Sequence, residues 1–305
     1  MLSREHPDVI DICTPPGAHR SVAIEAMESN CSVLMEKPMA LSVSDCDLMI
    51  SAAKRNDVKL SIVHNQRFYP PFLMAKQLVE DGVIGELTGI RVLSLTQREE
   101  YVAHENHWVH KLPGGILGET GPHAIYISLP FLKNVKSVNV CARKSANYPW
   151  APHDAYNIDL EGENVNSSIY ISHASDYTAS EVDLFGTDYA LRIDLQSMLL
   201  KHYKRGNLKP TSIVFSSISV ASQIMKGLMS NAFMVMFRRP MLGHDIMIEK
   251  FVRSIIMDRP VPVSPEEGRE TVKVMERIIE MLPQTHDFEA KPALETCIET
   301  MRKNY

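Results

Sequence analysis

The chain has 305 residues, of which 45% are apolar and 23% charged, and its formal net charge is −5. This length exceeds one ordinary domain, so we expect two domains with sizeable cores. The mildly acidic balance, without a long run of Lys or Arg, argues against nucleic acid as a partner. Five scattered cysteines without a Cys-x-x-Cys pair, and an N-terminus without an apolar secretion signal, predict reduced thiols and a cytoplasmic location.

The first 65 residues alternate between short apolar runs and helical patterns. Strands are predicted at 9–13, 32–35 and 59–63, with helices at 19–30 and from about residue 44. Strand, helix, strand, helix, strand at this spacing is typical of a parallel sheet with crossover helices. We therefore assign residues 1–66 to part of a Rossmann-like dinucleotide-binding domain.

After Arg67 the pattern changes to that of an α+β domain, assigned to residues 67–305. A helix at 70–81 and a strand at 87–96 are predicted first, and residues 114–133 are helical around 124–132. Six strand-like runs without helices between them then predict an open, mainly antiparallel sheet: 135–142, 154–160, 167–172, 179–186, 189–194 and 197–203. The chain continues with helices predicted at 211–237, 244–257 and 265–282.

The segment from Thr211 to Phe237 is unusually apolar, and Lys226 is its only charge. Its apolar residues recur at alternating steps of four and three: Val214, Ile218, Ala221, Met225, Leu228, Ala232 and Val235. This stripe predicts one face of an amphipathic helix and not a membrane span. Burial against another domain or subunit is one interpretation; attachment to a membrane surface, with Arg238 and Arg239 at its end, is the other.

Two motifs lie where predicted parallel strands end, which is the edge at which open sheets bind ligands. Thr14-Pro15-Pro16-Gly17-x-His19 follows the first strand, and Glu36-Lys37-Pro38 follows the second. A lysine held by the next proline can direct its ammonium into a cleft and exchange a proton. The alternatives are an ordinary strand-to-helix turn and a surface ion pair.

Glu119 and His123 stand four residues apart at the start of a predicted helix, so that both side chains share one face. A carboxylate beside an imidazole is a natural acid/base pair, in which the carboxylate orients the ring and raises its pKa. A capping Glu and a packed His form the alternative interpretation.

His104, His107 and His110 recur every three residues, with Glu105 beside them. This pattern raises a metal-dependent hydrolase or lyase as a hypothesis, because imidazoles are common ligands of zinc. A solvated helical face would show the same spacing, and no clear fourth ligand accompanies the histidines. We therefore assign no metal site.

Several motifs in order resemble the glucose–fructose oxidoreductase / inositol dehydrogenase (Gfo/Idh/MocA) family. They are Asp-x-Cys-Thr-Pro-x-x-x-His19, Val-Leu-x-Glu-Lys-Pro38, Asn65-x-Arg67-Phe68, Gly114-Gly-x-Leu-x-Glu-x-Gly-x-His123 and the tail from Gly243-His244 to Pro262-Val-x-x-Glu-Glu-Gly268. The resemblance implies hydride transfer between a sugar, inositol or related polyol and NAD or NADP. It also implies a homo-oligomer paired through the second domain.

The resemblance also implies roles for individual residues. Lys37 and His123 would be catalytic, with Glu119 on the same face as His123. Cofactor contacts would come from the ends of the parallel strands and the segment that follows: Thr14, Pro15, His19, Glu36, Lys37, Asn65 and Arg67.

The chain departs from the family pattern at three points. Glu119 stands where the family has Asp, and Tyr126 stands where it has an acidic residue. A Gly-x-Gly-x-x-Gly loop, which meets the cofactor pyrophosphate in dinucleotide-binding folds, is absent from the 305 residues. From this we expect the family's first strands and glycine loop to precede Met1, and the strand at 9–13 to be an edge strand that self-associates. A catalytically impaired homologue that binds a ligand or partner is the alternative function.

Overall fold

The computed structural model describes residues 2–98, 100–204, 209–237 and 243–282. Its α-helices are α1 (Leu2–Glu5), α2 (Pro16–Glu28), α3 (Val43–Arg55), α4 (Pro70–Glu80), α5 (Leu117–Ser128), α6 (Pro210–Met236), α7 (Gly243–Ile256) and α8 (Pro265–Glu280). Its strands are β1 (Val9–Ile12), β2 (Ser32–Met35), β3 (Leu60–Ile62), β4 (Leu87–Gln97), β5 (Val135–Arg143), β6 (Ala155–Gly162), β7 (Asn166–Ser175), β8 (Ala179–Gly186), β9 (Tyr189–Asp194) and β10 (Leu199–Lys204).

The first three strands form a parallel sheet in the order β1-β2-β3, as the alternating pattern predicts. β1 is an edge strand of this sheet, also as predicted. α2 begins at Pro16, three residues before the predicted start, because a proline is tolerated in the first helical turn. Asn30 adopts a positive φ of 62° just after α2 and turns the chain into β2.

The remaining seven strands form one sheet in the order β10-β9-β8-β4-β7-β6-β5. The predicted mainly antiparallel sheet is confirmed, and it has one parallel pair: β4 lies at its centre, antiparallel to β8 and parallel to β7. The parallel pair arises because α5 carries the chain back across the sheet, so that β5 runs in the same direction as β4. β6 and β7 then each reverse direction, and β7 lies beside β4 and parallel to it. The buried face of this mixed sheet forms the largest hydrophobic core of the described residues, which includes Phe72, Tyr126, Tyr156 and Ile193.

Two helices from the end of the chain tie the sheets together. Met247 and Phe251 of α7 pack into the core of the parallel sheet. α8 packs into both cores, with Val272 in that of the parallel sheet and Val274 and Ile278 in that of the mixed sheet. α8 begins with a capping box in which Ser264 and Glu267 satisfy each other's main-chain groups. The predicted N-terminus at Pro265 is confirmed, and the helix ends two residues before Leu282.

α6 covers the edge of the mixed sheet, and the face it uses differs from the predicted one. Its contacts with β10 and the preceding turn come from Gln223, Gly227 and Asn231. The predicted stripe faces outward, and none of the 27 residues of α6 is buried by the described part of the chain. Burial of the stripe against another domain of this chain is thus not observed among these residues. Arg238 and Arg239 lie outside the described residues.

Candidate active site

The end of β2 and the N-terminal half of α5 meet at one point between the two sheets. The Lys37 ammonium contacts the Glu119 carboxylate and also donates to the main-chain oxygen of Glu119 at 3.1 Å. Both side chains are largely shielded, with 10% and 18% of their surfaces exposed. Partial burial strengthens this ion pair relative to one on the surface, so the lysine is held at a fixed position.

α5 places its two chemically active residues on its one open face. Ten of its twelve residues are buried, and the other two, Glu119 and His123, are half-buried. The expectation that both side chains share a face is confirmed. The expected Glu119–His123 pair is wrong, because Glu119 is engaged by Lys37 and the His123 ring is held by a different residue.

Tyr126 is the partner of His123. The two lie one helical turn apart, with 2.7 Å between His123 Nδ1 and the Tyr126 oxygen. The Tyr126 hydroxyl donates its one proton to Asn65 Oδ1 at 3.0 Å, so it accepts from His123 Nδ1–H. This arrangement sets the tautomer with a bare Nε2, which makes no hydrogen bond within the described residues and can accept a proton.

The electrostatics of His123 also differ from the expectation. Loss of hydration around the packed ring lowers the pKa of His123 well below its ordinary value, and the nearby Lys37 ammonium lowers it further. The sequence-based expectation of a raised pKa is therefore wrong, since a neutral phenol stands beside the ring instead of a carboxylate. His123 is accordingly neutral near pH 7 and suited to act as a base.

A cavity of about 220 Å³ opens in front of Glu119 and His123, between α5 and the central strands of the mixed sheet. Its wall carries the carboxylates of Glu100 and Glu119 and uncharged polar groups from Gln66, Ser94, Thr96, Tyr101 and Ser180. Neither Lys nor Arg is among the described residues that line it. Such a lining matches a hydroxyl-rich, uncharged ligand better than a phosphorylated one.

The loops at the carboxyl ends of β1 and β2 are joined by His19. Its ring nitrogens lie 2.8 Å from the Thr14 oxygen and 3.0 Å from the Pro38 oxygen, and the side chain is fully buried. Thr14 and Pro15 are exposed at this edge, and Lys37–Pro38 is a cis peptide. His19 therefore positions the two loops that a cofactor would touch, and its own contact with a cofactor stays a prediction.

The other predicted cofactor residues divide into two groups. Asn65 holds Tyr126, and Glu36 lies 3.6 Å from Nε2 of His244. Gly243 lets the start of α7 lie close to the Asn65 main chain, because a Cβ at residue 243 would lie 1.8 Å from the Asn65 carbonyl oxygen. Arg67 instead pairs with Glu267 of α8 at 2.8 Å and lines a separate cavity. The structure thus gives Arg67 a bracing contact, and its cofactor role stays a prediction.

The three histidines of the loop after β4 do not converge. His107 Nδ1 accepts from the Val109 main chain at 3.4 Å, and His110 Nε2 lies 3.1 Å from the His104 carbonyl oxygen. Within the part of the chain that the structure describes, no group of three His, Cys, Asp or Glu side chains could hold a metal ion. The metal-dependent alternative therefore has no geometric support in these residues.

The sequence analysis identified Tyr126 without its contact to His123, and it did not identify His64. His64 stacks on Tyr126 with 4.2 Å between ring centroids and 10° between planes. Burial lowers the pKa of His64 well below its ordinary value, so a neutral ring supports the phenol. The three-residue spacing of His123 and Tyr126 could have identified their contact; nothing local identifies His64.

Comparison with known proteins places these features in a family. Residues 1–64 match the Gfo/Idh/MocA oxidoreductase family profile, described as an NAD-binding Rossmann fold, and residues 72–192 match the Gfo/Idh/MocA C-terminal domain. D-apiose dehydrogenase from Paraburkholderia graminis is 26% identical over 223 residues, 70% of this chain and 57% of that protein. The chain spans less than two thirds of the length of the curated relatives that it matches.

Solved structures share the fold across nearly the whole chain. The WlbA dehydrogenase from Bordetella pertussis, in complex with NADH and UDP-GlcNAcA, superposes with a TM-score of 0.74 at 19% identity. That match covers 93% of this chain and 82% of the other. A levoglucosan dehydrogenase in complex with NADH and levoglucosan gives 0.69 at 20% identity, covering 90% and 77%.

Proposed function

Because this chain belongs to the Gfo/Idh/MocA oxidoreductase family, we propose that it oxidises a hydroxyl group of an uncharged sugar, inositol or related polyol with NAD or NADP. The observation that carries the proposal is that Glu119 and His123 line one polar cavity, with the Lys37 ammonium held against Glu119. Residues 1–66 are proposed as cofactor-binding and residues 67–305 as the substrate and oligomerisation domain.

The residues present fit the nicotinamide end of the cofactor. Thr14, Pro15, Glu36 and Lys37 lie at the carboxyl edge of the parallel strands, where open sheets bind nucleotides. Thr14 and Pro15 are exposed there, and Asn65 follows β3 at the same edge. When bound, the nicotinamide ring would supply the acceptor for the hydride that leaves the substrate carbon.

His123 and Lys37 have different roles: the first accepts a proton and the second stabilises negative charge. His123 Nε2 accepts the hydroxyl proton, because its other nitrogen is committed to Tyr126 and its lowered pKa keeps the ring neutral. The Lys37 ammonium, fixed by Glu119, stabilises negative charge that develops on the substrate oxygen. Glu119 positions Lys37 and also faces the cavity.

The test is a fluorescence titration of the chain with NADH, NADPH and reduced nicotinamide mononucleotide, followed by a screen for polyol-dependent reduction of NAD and NADP. Lys37→Ala is expected to lower turnover by about 10²- to 10³-fold, the usual cost of removing one group that stabilises charge on the reacting oxygen. Lys54→Ala is the matched control, since Lys54 is 70% exposed and pairs with Glu266 on the surface. Equal turnover in the chain and Lys37→Ala would refute the assignment.

One observation favours the second candidate, a homologue that binds a ligand or partner without catalysis. Glu119 and Tyr126, which hold Lys37 and His123, differ from the acidic residues that the family resemblance implies at these positions. Failure of all three nicotinamide probes to bind would support this candidate over the dehydrogenase. A cytoplasmic location, a homo-oligomeric state and the absence of a membrane span stay predictions.

A further inference from the structure

The outward stripe of α6 is a large apolar surface that the described residues leave uncovered. The five larger side chains of the stripe, Val214, Ile218, Met225, Leu228 and Val235, are between 49% and 67% exposed. By length and composition α6 could cross a membrane, with a mean hydropathy of 1.2. Exposed apolar patches of this size on a folded domain mark a site of interaction.

The inner face of α6 shows that the helix belongs to the mixed sheet. The Gln223 side chain accepts from the main-chain N–H of His202 at 2.7 Å and donates to its carbonyl oxygen at 3.1 Å. The Asn231 amide donates to the Ser197 oxygen at 2.9 Å. Passage through a bilayer would remove these partners, so the stripe is a surface of the domain and not one side of a membrane span.

The spacing of the stripe favours another helix as its occupant. Steps of four and three repeat over three heptads, and this mean spacing of 3.5 residues is the one that keeps a seam facing a partner helix. A lipid surface imposes no such register, and helices that lie on membranes carry basic residues on the polar face. Lys226 is the only charged residue of α6.

We propose that the stripe pairs with the same stripe of a second copy, in a two-fold contact between α6 helices. The stripe is symmetric about its middle, because the large Met225 and Leu228 are flanked by the small Ala221 and Ala232, so an antiparallel second copy presents the same order of side chains. Two uncharged apolar faces also meet without leaving a charge unpaired.

The available area is sufficient for a stable dimer. Four further apolar side chains border the stripe, Phe215, Met229, Phe233 and Met236, and each is more than half exposed. At on the order of 100 Å² for each large side chain, the surface offers roughly 900 Å² per copy, against about 800 Å² per partner in a standard interface. The proposal does not depend on the proposed catalytic activity.

Light scattering of the full chain after size exclusion, at about 50 µM, tests this pairing. Met225→Glu and Ile218→Glu are each expected to halve the mass of the assembly, for example from a dimer to the 34.4 kDa chain. Because both positions are about 60% exposed, neither change disturbs the core. Ile256→Glu, at a 76% exposed position of α7, is the matched control and is expected to keep the mass of the unmodified chain.

Three outcomes would overturn the proposal. The first is a monomeric unmodified chain. The second is a mass that Met225→Glu leaves unchanged, which would place any association elsewhere, for instance at the β1 edge. The third is a monomer that co-floats with phosphatidylcholine–phosphatidylglycerol vesicles only when Met225 is intact, which would make lipid the occupant.

Discussion

α5 and α6 pack on the same sheet, and their burial is the reverse of their composition. α5 contains Glu119, Thr120, His123 and Tyr126, yet ten of its twelve residues are buried. α6 is the more apolar helix, and none of its residues is buried among the described residues. Burial therefore follows from whether a partner exists for each group: the polar groups of α5 have partners, whereas the apolar stripe of α6 has none among the described residues.

We expect acid to destabilise the protein at the packing behind α5, where a buried histidine must be protonated. His173 is fully buried behind α5, 3.0 Å from the Thr120 hydroxyl, and burial lowers the pKa of His173 to about 4. An unfolded His binds its proton below pH 6.5, whereas the folded one does so only near pH 4. Stability is thus present above pH 6.5 and lost as the pH falls toward 4, by about 3 kcal/mol for this residue.

Urea unfolding at pH 7 and pH 4.5 measures that loss. His64 and His123 contribute in the same direction, because burial lowers both pKa values. In His173→Gln the difference in unfolding free energy between the two pH values should be smaller by most of this amount. An unchanged difference would show that His173 is not neutral in the folded state.

Tyr126→Phe tests whether the Tyr126 hydroxyl orients the His123 ring. The change removes the acceptor for His123 Nδ1–H and the donor to Asn65 while keeping the stacked ring. On the proposed function, we expect about a tenfold loss of kcat/KM, because the imidazole is no longer held in one tautomer and orientation. Loss of the acceptor disfavours the imidazolium, so the acid limb of the pH profile should move to lower pH.

Asn65→Ala is the companion variant, since it leaves the His123–Tyr126 contact in place. It should reduce kcat/KM less than Tyr126→Phe does. If Tyr126→Phe instead moved the acid limb to higher pH, the hydroxyl would not be accepting from the ring.

Much of the fold was predictable because local patterns carry it. The ten strands follow apolar periodicity, and α8 follows Pro265 with acidic residues in its first turn. Lys37, Glu119 and His123 were predictable from motifs and their resemblance to a family. The Lys37–Glu119 pair was not, because these residues are 82 positions apart and meet only through packing of the two sheets.

α6 shows why its orientation could not be predicted from spacing. Val220, Ile224 and Met234 make its inner side apolar as well, so periodicity alone offers two faces. The choice is made by Gln223, Gly227 and Asn231, which meet β10 and the turn before it. These residues select the inner side because Gln223 and Asn231 satisfy main-chain groups at the edge of the sheet and Gly227 lets Leu199 approach closely.

The smallest predicted effect concerns which face of α6 packs on the sheet. Gln223→Ala should lower the unfolding free energy by about 1 kcal/mol, because two main-chain groups of β10 lose their partner. Ile218→Ala, on the outward stripe, should change it by less than about 0.5 kcal/mol, as for other exposed positions. Both are measured by urea unfolding in the Met225→Glu background, so that association does not contribute. A larger cost for Ile218→Ala would mean that the stripe is already packed within a single chain.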